Sequence, residues 1–213
     1  MFGDSYGRRY GASPAAWTPD AWPSVVFDML LFTLFAMHHS LFARTGVKQL
    51  VTRAVSAESE RTVYVWVASV LLVGTCWWWH PVPGVAWHIG GAGALAGWTS
   101  QAIGVLISIR GAAQIDALEL AGMRQTMGPS ARRPGIIDTG LYSFVRHPIY
   151  FGWLLLVWPT PLMTGTRLVF AVVSTCYLIV AVPFEERDLR ATFGPAYAAY
   201  AKRVRWRMVP FLY

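Results

Sequence analysis

Apolar residues run through this chain in long blocks separated by polar stretches, neither alternating as on a half-buried strand nor striped as on a soluble surface helix. The blocks fall near Ser24 to Ala43, Thr62 to Trp79, Gly91 to Ile109, Phe151 to Met163 and Thr166 to Phe184. A helix needs roughly 20 apolar residues to cross about 30 Å of hydrocarbon. The pattern therefore predicts an all-α integral membrane protein with about five transmembrane helices. The fourth block is short, and its Pro159 and Pro161, followed by Thr164-Gly165-Thr166, predict a tight helical hairpin joining spans four and five. One membrane domain, 1–213, is expected, with a three-helix N-terminal part at 24–110 and a C-terminal core at 111–213.

Composition supports insertion: 55% of the 213 residues are hydrophobic and 14% are charged, against about 25% charged in a soluble domain. Charge placement then orients the spans. All but Arg8, Arg9 and Arg167 of the 18 lysines and arginines fall in the segments from Arg44 to Arg61, from Arg110 to Arg146 and from Arg187 to Arg207. By the positive-inside rule the N-terminus lies outside and the C-terminus in the cytoplasm, which requires an odd number of spans. The net charge of +7 is dispersed between spans, so the lipid bilayer accounts for it and no nucleic-acid partner is expected. Cys76 and Cys176 each sit inside an apolar block, far from a second thiol, and read as small buried hydrophobes. The polar, Gly-rich stretch from Phe2 to Pro23 lacks the layout of a signal peptide, so the first block is expected in the mature protein. Trp77, Trp78, Trp79 and Trp87 flank an outer segment without basic residues, as an interfacial aromatic belt does.

Candidate chemistry concentrates in two inner segments. Asp138 to Tyr150, containing Tyr142, Arg146, His147, Pro148, Ile149 and Tyr150, precedes span four, and Glu185-Glu186, with Phe193-Gly194 and Tyr197 to Tyr200, follows span five. A hairpin of spans four and five brings both clusters to one cytoplasmic mouth. Such a pocket offers carboxylates for an amine or ribose hydroxyls, cations for a carboxylate, and aromatic faces for a base and a sulfonium. Taken singly, the arginines serve equally well as inner anchors and the tyrosines as belt residues. Glu185 directly follows an apolar run, where an ionisable group is costly enough to mark a functional candidate.

The arrangement of Tyr142, Arg146-His147-Pro148-Ile149-Tyr150-Phe151-Gly152, a hydrophobic hairpin, Glu185-Glu186, Phe193-Gly194 and Tyr197-Ala198-Ala199-Tyr200 is similar to the isoprenylcysteine carboxyl methyltransferase superfamily, whose members use S-adenosylmethionine. The match covers roughly residues 135 to 210. His38-His39-Ser40-Leu41-Phe42-Ala43-Arg44, Glu60-Arg61-Thr62-Val63-Tyr64-Val65, Trp79 to Trp87 and Gly122-Met123-Arg124-Gln125 further resemble the bacterial methanethiol S-methyltransferases, which turn a small volatile thiol into a thioether. The resemblance implies S-adenosyl-L-methionine as cofactor, held by Tyr142, Arg146, His147, Pro148, Ile149, Tyr150, Glu185 and Glu186, with Ile136 and Ile137 lining the approach. It implies a bacterial cytoplasmic membrane protein and no metal. Prenylcysteine enzymes carry an arginine shortly before their glutamates, where this chain has Val180-Ala181-Val182-Pro183; a small uncharged thiol needs no such arginine.

Methyl transfer to a thiol demands little of the protein beyond orientation, a dry pocket and loss of the thiol proton. His39, Arg44, Glu60, Arg61, Arg124 and Gln125 are the candidates for the acceptor side, because they fall at inner ends of other spans. His38 and His39 stay open between packed structural groups, thiol activation and haem ligation. The N-terminal HS and ER features also resemble the NnrU group, which keeps a haem-binding isomerase or accessory protein as the alternative. A lipophilic acceptor such as prenylcysteine, a sterol-reductase-like NADPH enzyme and a transporter are the remaining classes. Asp28 lies near the outer end of span one with no visible partner. Gly91, Gly93 and Gly97 predict close helix packing.

Overall fold

The computed structural model describes residues 21–42, 47, 52, 56–115 and 135–213. Among these, the helices are α1 (Trp22–Phe42), α2 (Ala57–Trp77), α3 (Gly91–Ile115), α4 (Pro148–Val157), α5 (Gly165–Phe193) and α6 (Pro195–Arg203); the strands are β1 (Val85–His88) and β2 (Leu162–Thr164). Helices α1, α3 and α5 are long and apolar enough to cross a membrane, and Thr62–Trp77 and α4 are shorter apolar helices. Leu30 and Leu34 on α1, Leu95, Trp98, Leu106 and Ile109 on α3, and Ile179 on α5 all point outward. Helices that are apolar on their outer faces as well as their inner ones belong in lipid. The protein is a mostly helical integral membrane protein.

The connection between α4 and α5 departs from the tight turn expected of its prolines. Helix α4 ends at Val157, and Leu162–Thr164 extends as β2, antiparallel to β1 with Val85 opposite Thr164 and His88 opposite Leu162. Pro81 and Pro83 keep the loop between α2 and α3 out of helix, which leaves backbone groups that must find partners elsewhere. The ribbon supplies them, and the Trp87 indole N–H donates to the Thr160 carbonyl at 2.9 Å. Asp28 gains a partner in the same region. It is fully buried and accepts the His80 backbone N–H at 2.8 Å, tying the loop between α2 and α3 to α1.

Helices α3 and α4 pack backbone to backbone. A Cβ on Gly104 would lie 2.5 Å from the Gly152 carbonyl, one on Gly97 would strike the Pro159 carbonyl, and one on Gly111 would lie 3.0 Å from Ile149. These glycines recur every seven residues and so share one face. Gly97 thus packs as expected, whereas Gly91 has open space beside it and Gly93 meets only the Ile89 side chain. Gln101 and Ser108 add bonds from α3 to the carbonyls of Leu156 (2.7 Å) and Ile149 (3.3 Å) on α4.

Candidate functional site

At about 1.5 Å per residue, the 29 residues of α5 reach about 43 Å, some 13 Å more than the hydrocarbon is thick. The surplus carries Glu185 to Phe193 past the apolar block and into polar surroundings. Pro183 sits inside this helix and leaves the carbonyl four residues back without its usual donor. That carbonyl belongs to Ile179, and the Tyr213 hydroxyl donates to it at 3.4 Å. Gly194, at φ 54°, ends the helix and starts α6, its N–H returning to the Arg190 carbonyl at 2.9 Å.

The segment before α4 meets this end of α5. Pro148 occupies the first turn of α4, which keeps His147 out of helical backbone, at φ −125° and ψ 66°. Arg146 donates through Nε to Glu186 Oε1 at 2.6 Å, and through Nη1 to the carbonyls of Val204 (2.6 Å) and Arg205 (3.0 Å). Glu186 is 1% exposed. Its second oxygen lies 3.4 Å from Arg207 Nε and 3.6 Å from Arg190 Nη2. The backbone N–H groups of Arg146 and His147 donate to the carbonyls of Trp206 and Arg207, binding the C-terminal tail to the same place.

Glu185, one residue earlier, points the other way. It accepts the Tyr150 hydroxyl at 2.9 Å, lies 3.6 Å from His147 Nδ1, and keeps 45% of its side chain exposed. The buried His147 ring stacks on Tyr150 with 2° between planes, and its Nε2 has no hydrogen-bond partner among the described residues. Tyr142 turns its hydroxyl to the Gly111 carbonyl (3.3 Å) and accepts the Tyr200 hydroxyl at its own carbonyl (2.9 Å). Burial pushes the Tyr197 hydroxyl up to about 12 and raises those of Tyr142 and Tyr200 as well. These phenols stay neutral and offer no phenolate base.

Among the described residues a cavity of about 2150 Å³ opens between these elements. Ile136, Ile137, Tyr142, Arg146, His147, Ile149, Tyr150 and Glu185 line its polar end, so most of the residues expected around a cofactor surround one space. Pro148 is buried beneath it, and Glu186 lies behind the wall among its cations. The cavity then continues between α1, α2 and α5 along an apolar stretch that includes Phe32, Ala68, Leu72 and Val173. On this side His39 stands in the wall with Tyr64, and Ser40 Oγ lies 3.1 Å from the Tyr177 hydroxyl. His38 turns instead to a small pocket of about 230 Å³ shared with Phe42 and the buried Glu60. Arg44, Arg124 and Gln125 lie outside the described residues, as does the side chain of Arg61.

Asp188, Leu189 and Thr192 also line the polar end, and the candidates chosen from the sequence omit them. Their spacing of three, four and seven from Glu185 is one face of a helix, readable only if α5 is continued past Phe184. Tyr64 and Tyr177 are lining residues too, and an apolar helix disguises such tyrosines as belt residues.

Known proteins resemble this chain over most of its length. The phospholipid methyltransferase family matches residues 95–196, from α3 through the start of α6. Methanethiol S-methyltransferase 2 of Bradyrhizobium diazoefficiens is 36% identical over 199 residues, covering 89% of this chain and 74% of that protein. Methanethiol S-methyltransferase of Mycobacterium tuberculosis is 38% identical over 186 residues, covering 85% and 76%. A nurim homolog of Drosophila melanogaster is 28% identical over 180 residues, covering 79% and 71%.

Proposed function

As the chain belongs to the family of the methanethiol S-methyltransferases, we propose that it transfers a methyl group from S-adenosyl-L-methionine to methanethiol or a similar small thiol, releasing dimethyl sulfide. It is a methyltransferase, and the observation that supports this acceptor is the single cavity joining a carboxylate-rich end to an apolar end.

The residues at the polar end fit the donor. Glu185 and Asp188 supply carboxylates for an amine or ribose, Ile136, Ile137 and Phe193 supply apolar walls for a base, and His147 stands in the wall with Nδ1 3.6 Å from Glu185. When bound, the donor brings an electrophilic methyl group on a positive sulfur. The chain contributes the rest. Tyr150 fixes the Glu185 carboxylate, Glu186 and Arg146 hold the wall behind it, and the apolar stretch excludes water from the acceptor. With Val180-Ala181-Val182-Pro183 where prenylcysteine enzymes carry an arginine, a charged acceptor is not favoured. The charge distribution supports five spans, with the N-terminus outside and the cavity's polar end facing the cytoplasm of a bacterium.

The test is made on the detergent-purified protein. Calorimetry with S-adenosylhomocysteine should show binding, and headspace gas chromatography should show dimethyl sulfide from methanethiol. Binding without dimethyl sulfide would overturn the acceptor, and folded protein that does neither would overturn the reading.

A further inference from the structure

The apolar end of the cavity contains a built polar pair in His39 and Tyr64. Tyr64, on α2, has a single hydroxyl proton, and it donates to the His39 backbone carbonyl at 3.0 Å. The same oxygen lies 3.0 Å from His39 Nδ1. With its proton committed to the carbonyl, the Tyr64 oxygen presents a lone pair to the ring, so Nδ1 carries the N–H and Nε2 carries the free electron pair. Stacking on Phe35 (5.6 Å between centroids) and on Tyr64 (5.8 Å) holds the imidazole plane. His39 lines the cavity, and its Nε2 has no protein partner among the described residues. Adjacent His38 also stacks on Tyr64 and on Phe42, but it lines the small pocket and buries its Nδ1 unpaired.

We propose that His39 is the catalytic base for the acceptor thiol and that Tyr64 positions it by fixing its tautomer; this rests on the thiol methyltransferase reading above. The thiol S–H bond breaks and its proton passes to Nε2. The sulfur's electron pair then forms the new S–C bond as the donor's sulfonium–methyl bond breaks, and that bond's electrons stay on the donor sulfur. The imidazolium returns its proton to water between turnovers. Thiolate is the nucleophilic form, and a cysteine-like thiol with a pKa of about 8.5 is mostly protonated at neutral pH, so the assistance matters most for weakly acidic thiols. The titratable groups facing His39 among the described residues are His38 on its own helix, Tyr64 on α2, and Tyr177 and Glu185 on α5, with Tyr150 bonded to Glu185.

The experiment compares two acceptors in wild type, His39→Ala and Tyr64→Phe, with S-adenosylhomocysteine binding as the check on folding and on the donor end. Methanethiol is one acceptor, and nitrothiophenol, already ionised at neutral pH, is the other. His39→Ala should slow methanethiol about a hundredfold or more, the usual range for losing a general base, while slowing nitrothiophenol no more than threefold. Its methanethiol rate should rise with pH as the thiol ionises unaided. Tyr64→Phe should lower the methanethiol rate about tenfold with the same selectivity. Equal slowing of both thiols, unchanged rates with both, or loss of S-adenosylhomocysteine binding in both variants would each overturn the assignment. A wild type that methylates neither thiol would instead overturn the thiol methyltransferase reading itself.

Discussion

At the α5 end of the cavity one buried carboxylate, Glu186, is ringed by Arg146, His147, Arg190 and Arg207, and tail carbonyls complete the bonding of Arg146. At the α1–α2 end, His39 and Tyr64 are held by bonds through one hydroxyl and by ring stacking. The first arrangement is charge-assisted and linked to three stretches of chain, so it has little freedom to adjust. The second rests on two neighbouring helices, and Ser40 with Tyr177 adds a link from α1 to α5. The contrast matches the proposed division of labour. A large, polar donor needs many fixed groups, whereas a small thiol offers only a sulfur and a methyl group to recognise. Rigidity is therefore placed where the ligand carries information, and apolar packing where it does not.

Breaking the rigid end should have the largest effect. Glu186→Ala leaves Arg146 buried without its counter-ion, which costs about 3–5 kcal/mol; thermal unfolding in detergent should show a large fall in midpoint, together with loss of tail protection from protease. An unchanged midpoint would mean that the cage is not a structural centre. Next comes the platform that carries His147. Gly104→Leu forces α3 away from α4, where added Cβ atoms meet backbone, at a cost of roughly 1–3 kcal/mol. The lower midpoint should come with weaker S-adenosylhomocysteine binding, because His147 directly precedes α4. Smaller still is Ser40→Ala at the adjustable end. Losing one hydroxyl bond between α1 and α5 should cost about 0.5–1.5 kcal/mol and raise the KM for methanethiol without altering donor affinity.

The last effect is confined to alkaline pH. The Tyr197 phenol ionises near 12 in the fold but near 10 in an unfolded chain. Its contribution is thus complete below about pH 10 and lost as pH rises through 12, since the unfolded chain releases its proton first. Tyr197→Phe should flatten the fall in unfolding midpoint across that window. A fall of the same steepness in the variant would assign the alkaline loss to other groups.

Much of this contrast can be read from residues alone, and the rest has identifiable physical reasons for staying hidden. The long apolar blocks predict α1, α3 and α5, and the pairing of Arg146-His147-Pro148 with Glu185-Glu186 predicts the cluster that the fold assembles. The opposite facing of the two glutamates follows from helix phase beyond Phe184, and an apolar-run boundary marks where hydrophobicity stops rather than where a helix stops. The β1–β2 ribbon is hidden because strands of four and three residues carry no periodicity; only the prolines that exclude helix are visible. Gly104 and Gly111 escape a search for closely spaced glycines because their repeat is seven. Asp28 escapes because its partner is a backbone N–H 52 residues away, which no side-chain pattern can announce.

The division of the cavity into a donor end and an acceptor end is tested most directly by the two KM values of Glu185→Gln in the dimethyl sulfide assay. This substitution keeps the hydrogen bond from Tyr150 and removes the charge. The KM for S-adenosylmethionine should rise at least tenfold while that for methanethiol stays within twofold of wild type. A rise confined to methanethiol, or an equal rise in both, would contradict the assignment of Glu185 to the donor and with it the two-ended account of the site.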